Sequence, residues 1–331
     1  MIANFSFSQF LSDMLDRHFS MASPSSLQTY AGAFGVLALI FVARRAAVKT
    51  SLRGFWGALF PAKVFQHKST RVDMVHYAFN AVLMSSAYGS MLFTGEYWYR
   101  WTDTLLHAIS LNGPFFSAPA PVVLLVTALV ELAMVELGYW LGHYLMHRIP
   151  ALWEFHKVHH SAQVLTPLTE WRQHPVELIL IPNIISMLVG IGYGLLWLVF
   201  GQAQPASLFN VNIFLLLFSF TILHLRHSHV WLAFTGLLGH ILQSPAHHQI
   251  HHSTNPKHFT KNLGFSMSIW DWAFGTLWIP AKREHLEFGL GEESAVFETV
   301  HGTLVRPFVQ AAGHVYGAAA PPAEASGQKA V

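Results

Sequence analysis

The chain has 331 residues, 53% hydrophobic and only 11% charged, with a formal net charge of +2. Typical soluble proteins are about 25% charged, so this composition points to a membrane, and the near-neutral balance gives no electrostatic case for nucleic acid. The absence of cysteine excludes disulfides, thiolate-held zinc, iron–sulfur clusters and thiolate haem ligation within the chain, leaving nitrogen and oxygen as metal ligands.

Three parts are expected: an N-terminal region over 1–121, a central domain over 122–280 and a C-terminal extension over 281–331. Phe5, Phe7, Phe10, Leu11, Met14, Leu15 and Phe19 recur at helical spacing around Arg17, which predicts an amphipathic helix at a membrane surface and not a signal peptide. Apolar runs at 27–43 and 72–93 approach the ~20 residues that span a bilayer. A third run, 122–141, carries Glu131 and Glu136 and leads directly into the string HYLMH. Runs at 178–200 and 208–223 are separated by GQAQPAS, which predicts an antiparallel helical hairpin. The end, AAAPPAEASGQKAV, has the composition of a disordered tail. The fold class expected is all-α, an integral membrane bundle of four to five transmembrane or hairpin helices under a His-rich di-metal cap.

Charge assigns the sides. The segment 44–71 holds seven Lys or Arg, whereas the stretch before it and the connection 94–121 hold one each. The positive-inside rule places 44–71 in the cytoplasm, and counting crossings forward brings every histidine string out on that side.

Between His143 and His258 lie 15 of the 22 histidines. Three strings stand out: His143–His147 (HYLMH), His156–His160 (HKVHH) and His248–His252 (HQIHH). Residues three and four apart share a helical face, so each string is expected to aim its imidazoles at one point. At this histidine content roughly 0.1 HxxHH strings are expected by chance over the chain, and there are two. Eight histidines exceed what one ion can use, so the count itself implies two metals. Further candidates are His174 in WRQHP and the trio His224, His227 and His229, of which His227 ranks first. Ligating histidines need an acceptor for their other ring nitrogen. Glu136, seven residues before His143 on the same stripe, is the favoured acceptor, with Glu154, Glu170, Glu177 and Asp271 as further candidates.

YWLGHYLMHRIPALWEFHKVHHS, TEWRQHP and HHSTNPKHFTKNLGFSMSIWDWAFGT together resemble the fatty acid hydroxylase / sterol desaturase superfamily of integral membrane di-iron enzymes, over about residues 131–280. The resemblance implies two Fe ions, with Zn able to replace them in purified protein, and O2 as oxidant. It also implies a lipid or sterol-like substrate and a separate electron donor such as a ferredoxin, cytochrome or reductase. It carries the ligand set over to His143, His147, His156, His159, His160, His248, His251 and His252, with His227 from the third cluster. His229 stands where that family often has Asn, so the ligand choice between His224 and His229 stays open. Hydroxylation of a C–H bond is the leading reading, with desaturation or C–C oxidation as the alternative within the family. A histidine-rich metal transporter or store is the second alternative, disfavoured because the strings follow the ends of spans and not mid-membrane breaks. A bis-His haem protein would leave most strings unexplained. The location expected is a bacterial inner membrane or the endoplasmic reticulum, with the site facing the cytoplasm.

Overall fold

A computed structural model of the chain describes residues 23–48, 51–85, 91–204, 207–208 and 211–317, together with 12, 15 and 18–21. Most of the expected N-terminal amphipathic helix and the whole of the tail 318–331 lie outside the described residues. The first helices are α1 (Leu27–Val48), α2 (Leu52–Leu59), α3 (Ala62–Phe65), α4 (Lys68–Ser85) and α5 (Gly95–Ala108). The central part follows with α6 (Ala120–Arg148), α7 (Pro150–His160) and α8 (Pro175–Phe200). Next come an antiparallel pair, Ser207–Leu208 against Val211–Asn212, and α9 (Ile213–Thr221), α10 (Leu223–Arg226), α11 (Gly236–Ile241) and α12 (Pro245–His251). The chain closes with α13 (Ile269–Ala273), α14 (Val300–Leu304) and α15 (Arg306–Tyr316).

Helices α6 and α8 form the spine. They have 29 and 26 residues and are long and apolar enough to cross a membrane, about 43 and 39 Å at 1.5 Å per residue against a hydrocarbon core of about 30 Å. Small residues let backbones approach where no water drives helices together. A Cβ on Gly138 would lie 2.7 Å from the Ile185 Cα, and one on Gly190 would lie 2.4 Å from the Gly95 carbonyl oxygen. The first contact joins α6 to α8, and the second joins α8 to α5.

Three expectations about the spans change. The connection 94–121 contains α5, which packs on α8; Glu96, Arg100 and Asp103 break up any long apolar run, so hydropathy alone did not reveal it. Helix α4 covers the first part of the run 72–93, but it buries Asp73, His76 and Asn80 and serves as a polar anchor. Arg172 donates to Asp73 Oδ1 at 3.3 Å and to the Val158 carbonyl at 3.0 Å, so this residue ties α4 to the C-terminal end of α7. Finally, the 178–200 and 208–223 runs do not make a packed hairpin. The nine-residue α9 rises only about 14 Å and packs against α1. Among the described residues, α6 and α8 meet the length and apolarity of a span, and the apolar part of α1, Leu27–Ala43, is slightly shorter.

Turn chemistry then aims the histidine strings. Pro150 begins α7 and holds Ile149 extended at φ −97°, ψ 114°, because the residue before proline is pushed out of the helical region. The chain therefore reverses between HYLMH and HKVHH. In α12 the Ser244 hydroxyl accepts from the His247 N–H at 3.2 Å in a capping box with Pro245 at the first helical position. Helix α15 packs on α7 from outside through Phe308 against Phe155, ring centroids 5.1 Å apart, and His314 Nε2 lies 3.0 Å from Glu154 Oε1.

The glycine contacts predict that Gly190→Val forces α5 off α8. Overpacking of this kind costs about 1–3 kcal/mol, so the thermal unfolding midpoint in detergent should fall, while Gly57→Ala, where nothing lies within 4 Å, should leave it near wild type.

Candidate metal centre

Nine histidines converge in two groups. His143, His147, His156, His160 and His251 form one; His159, His227, His248 and His252 form the other; within each, one ligand atom per residue lies within 4.8 Å of all the rest. All but His147 are buried. Each HxxHH string divides between the groups, contrary to the expectation that it aims at one point. His156 and His160 serve the first group and His159 the second, whereas His248 and His252 serve the second and His251 the first. The reason is helical: positions i and i+4 stay on one stripe, while i+3 and i+4 point about 100° apart. Two strings with opposite division thus contribute to both of two adjacent groups, which His143 and His147 of α6 and His227 after α10 complete, with the His160 and His252 rings stacked at 4.5 Å across the boundary.

The spacing of the ring nitrogens tests whether metal ions fit. His143 and His160 Nε2 each lie 3.1 Å from His156 Nε2. His227 Nε2 lies 3.1, 3.0 and 2.9 Å from the Nε2 atoms of His159, His252 and His248. Two nitrogens bound at about 2.1 Å to one ion and about 90° apart would be about 3.0 Å from each other. Mutual hydrogen bonding cannot replace the ion, because a single Nε2 lone pair or N–H on His227 cannot satisfy three neighbours. His147 Nε2 and His251 Nε2 are buried without a hydrogen-bond partner among the described residues. Burial, with neighbouring imidazoles adding to it, holds His159, His160, His248 and His252 well below the ordinary histidine range and His251 down at about 3. The rings are therefore neutral and carry the lone pairs that a metal needs.

The outer nitrogens set the tautomers. His143 Nδ1 donates to the Leu263 carbonyl at 2.8 Å and His251 Nδ1 to the Lys261 carbonyl at 2.9 Å, which leaves Nε2 bare on the inside. The Leu263 carbonyl is held in turn by Asp271, which accepts from the Leu263 and Gly264 N–H groups at 2.8 Å each, and the Lys261 carbonyl by its neighbour Asn262, whose N–H donates to the Thr276 carbonyl at 2.9 Å. Glu136 accepts from the Ser266 and Met267 N–H groups at 3.1 Å and from the Ser266 hydroxyl. It stands on the expected stripe of α6, yet its hydrogen bonds among the described residues go to Ser266 and Met267 of the 261–267 loop and not to a histidine. Two other carboxylates reach the rings. Glu170 Oε2 accepts from His227 Nδ1 at 2.9 Å, and Glu177 Oε2 lies 3.1 Å from His156 Nδ1 in a close approach without full alignment.

Residues 128–276 match the family model for fatty acid hydroxylase. That match, over a little under half of the chain, supports membership of the fatty acid hydroxylase superfamily. Among similar proteins, the alkylglycerol monooxygenase of Danio rerio is 32% identical over 165 residues, half of this chain and 33% of that protein. The alkylglycerol monooxygenase of Homo sapiens is 30% identical over 170 residues, again half of this chain and 33% of that protein. Ornithine lipid hydroxylase OlsE of Rhizobium tropici is 28% identical over 185 residues, 55% of this chain and 50% of that protein. The chain thus spans a third to a half of the length of these curated relatives. No solved structure matches the chain.

All nine histidines of the two groups lie within the fatty acid hydroxylase match, and it also contains three candidates that the structure sets apart. His174 caps α8: its Nδ1 accepts from the Val176 N–H at 3.1 Å, and its Nε2 faces the Leu304 carbonyl at 3.3 Å. A residue preceding proline at a helix start is placed for capping, and that geometry turns the ring away from both groups. His224 stacks on Tyr30 with centroids 3.7 Å apart and contacts Thr29 Oγ1 at 3.0 Å, because α10 ends before the turn that swings His227 inward. His229 contacts the Ala58 carbonyl at 2.7 Å, also outside the groups. Sequence reasoning underweighted Glu170, for which one signal existed: Arg226, a cation inside an apolar stretch and next to a candidate ligand, calls for a carboxylate.

Glu170 is the anchor of the second group. Arg226 Nη2 donates to both of its oxygens, at 2.7 and 2.9 Å, and His227 is the only member of that group whose Nδ1 has a hydrogen-bond partner among the described residues. Burial pushes the Glu170 carboxyl upward, but Arg226 and His227 together outweigh it and hold the group well below the ordinary glutamate range. A depressed carboxyl stabilises the fold above its unfolded pKa of about 4.3 and loses that contribution as pH falls through the folded value. Glu170→Gln leaves Arg226 buried without its counter-charge, which costs about 3–5 kcal/mol. Its stability should therefore drop at neutral pH and change less steeply than wild type as the pH is lowered below about 4, as measured by denaturant unfolding across pH.

Proposed function

We propose that the chain is a membrane-embedded, iron-dependent oxygenase that hydroxylates a C–H bond of a lipid, with one ion held by His143, His147, His156, His160 and His251 and the other by His159, His227, His248 and His252. The observation that carries this reading is the pair of adjoining all-nitrogen donor sets with Nε2 spacings near 3 Å. Imidazole-rich sites of this kind suit Fe, Zn, Cu or Ni, and the superfamily favours iron. Two iron ions bound there would supply O2 reduction and C–H oxidation, with electrons delivered by a separate ferredoxin, cytochrome or reductase. The printed names of the relatives, monooxygenase and lipid hydroxylase, favour insertion of one oxygen over desaturation.

The residues of the chain contribute by holding, orienting and excluding. The Leu263 and Lys261 carbonyls and Glu170 keep three rings with Nε2 inward, and Glu136 and Asp271 fix the loop from which both carbonyls project. Burial keeps bulk water from the imidazoles, so that oxidising equivalents meet substrate and not solvent. No side chain is required as acid or base at the carbon. The basic segment 44–71 supports a site on the cytoplasmic face through the positive-inside rule.

Two outcomes test this reading. Purified without chelators, the protein should carry about two metal ions per chain, Zn counting as well as Fe because imidazole sites accept the wrong metal on overexpression. His159→Ala and His160→Ala, adjacent in sequence, should each lower the content to about one by emptying different sites, and the double variant should lose both. Lipids from expressing cells should gain the mass of one oxygen; loss of two hydrogens would make the enzyme a desaturase, and protein without metal would overturn the assignment. For the topology, a protease added to the cytoplasmic side should cleave within 44–71, and cleavage from the opposite side would reverse the orientation.

A further inference from the structure

A cavity of about 270 Å³ lies where the start of α4 meets α14. Every residue that lines it falls outside 128–276, and none of the nine histidines is among them, so neither the family match nor the metal centre accounts for it. Lys68 and Arg71 of α4 stand on one side and Glu298, just before α14, on the other. Lys68 Nζ lies 3.8 Å from Glu298 Oε2, with both side chains partly open to the surroundings. Such a pair is worth little, and a ligand can replace it at small cost. His76 supplies a buried wall: it is 3% exposed, and its Nδ1 has no hydrogen-bond partner among the described residues. The same ring is hydrogen-bonded to the Gln173 backbone, which puts its proton on Nε2 and leaves Nδ1 as a bare acceptor.

Helix α4 is also inside out. Asp73, His76 and Asn80 are buried at spacings of three and four, whereas Val75, Phe79 and Val82 are exposed on the stripe that begins at Arg71. In water that arrangement shows the wrong face; against a bilayer it is the expected one. The stripe runs from two cations of the basic segment 44–71 to apolar side chains, the order of phosphate and acyl chain in a leaflet. Val75 and the exposed Val300 bring apolar surface up to the charged groups.

We propose that this cavity binds the headgroup of a phospholipid in which the phosphate is followed by a primary ammonium. The phosphate sits between Lys68 and Arg71, neighbours on one helical face, and the ammonium meets Glu298, with His76 Nδ1 as a further acceptor. Cations alone would accept any anionic lipid. Glu298 opposes a head without positive charge, and a bare acceptor gains a hydrogen bond from an ammonium but none from a choline, which has no N–H. The bound lipid is a resident between α4 and α14 and not the molecule oxidised. The assignment uses the membrane part of the reading above and none of its oxygen chemistry.

Native mass spectrometry of the delipidated full chain in detergent tests it, with phosphatidylethanolamine, phosphatidylglycerol and phosphatidylcholine of identical acyl chains as probes. Wild type should bind phosphatidylethanolamine about fivefold more tightly than either of the others. The double variant Lys68→Ala, Arg71→Ala should bind it about tenfold more weakly, and Glu298→Gln should lose the preference over phosphatidylglycerol. These side chains are open to the surroundings, so the thermal midpoint without lipid and the metal content should stay at wild-type values. Equal binding of the three lipids by wild type, or a preference retained in Glu298→Gln, would overturn the proposal. Soluble phosphoethanolamine should displace the lipid only at about a hundredfold higher concentration, because it lacks the chains that lie along Val75 and Val300; equal potency would make this a site for a water-soluble phosphate instead and overturn the lipid assignment. Selective binding by a protein that carries no metal would leave this site standing and count against the oxygenase reading.

Discussion

Nine neutral imidazoles pressed into one buried volume repel as much as they pack, because most of their inward nitrogens present lone pairs to one another at about 3 Å. A cation at the centre of each group, as proposed above, would convert that repulsion into bonding, and the rest of the architecture can be understood as keeping the rings in place for it. A site this concentrated cannot come from local sequence alone. Helices α6, α7, α10 and α12 must all arrive within a few ångströms: Pro150 turns the chain locally between α6 and α7, and contacts distant in sequence do the rest, with Arg172 clamping α7 to α4, Glu170 holding the turn after α10, and Asn262 fixing the loop after α12 by donating to the His247 carbonyl at 3.0 Å.

Those clamps are buried charges and polar groups, a poor source of net stability. A buried ion pair often does no better than apolar residues of the same size, and breaking one is strongly destabilising. Their worth here is directional. Arg226 meets Glu170 through two hydrogen bonds, and the same carboxylate reaches His227, so a single rigid fork sets a ligand's tautomer and its position together. An apolar contact of equal area would fix neither. Net stability is left to the α6–α8–α5 packing, where glycines bring the backbones close.

The histidine strings were legible because helical periodicity acts over four residues, within reach of any sequence window. Their division between two sites was legible in principle from the same periodicity, since i+3 and i+4 diverge, but the eye groups HHxx pairs by adjacency. Glu136 marks the limit. Its place on the His143 stripe was read correctly, yet a stripe states only a direction, and what stands opposite is decided by a loop about 130 residues later, at Ser266. Glu170 and Glu177 reach the rings through tertiary placement that periodicity does not encode. His174 and His224 were chemically eligible and lie in helix-end geometry that turns them elsewhere. Helix α5 escaped notice because Glu96, Arg100 and Asp103 interrupt its hydropathy, while its interface rests on close approach to Gly190 and Gly194 of α8, which no hydropathy sum reads.

The two ends of the site then face different media. On the outer side the first group is covered by α7, which α15 overlies through Phe308 and His314, with Lys157 held by Glu154 and Glu293 at 2.9 and 3.2 Å; on the inner side it borders apolar walls of spanning helices. If the centre makes an oxidant as proposed, that oxidant is separated from water by a packed, ion-paired cover, and selectivity for C–H bonds over solvent would follow from this asymmetry without any catalytic acid or base.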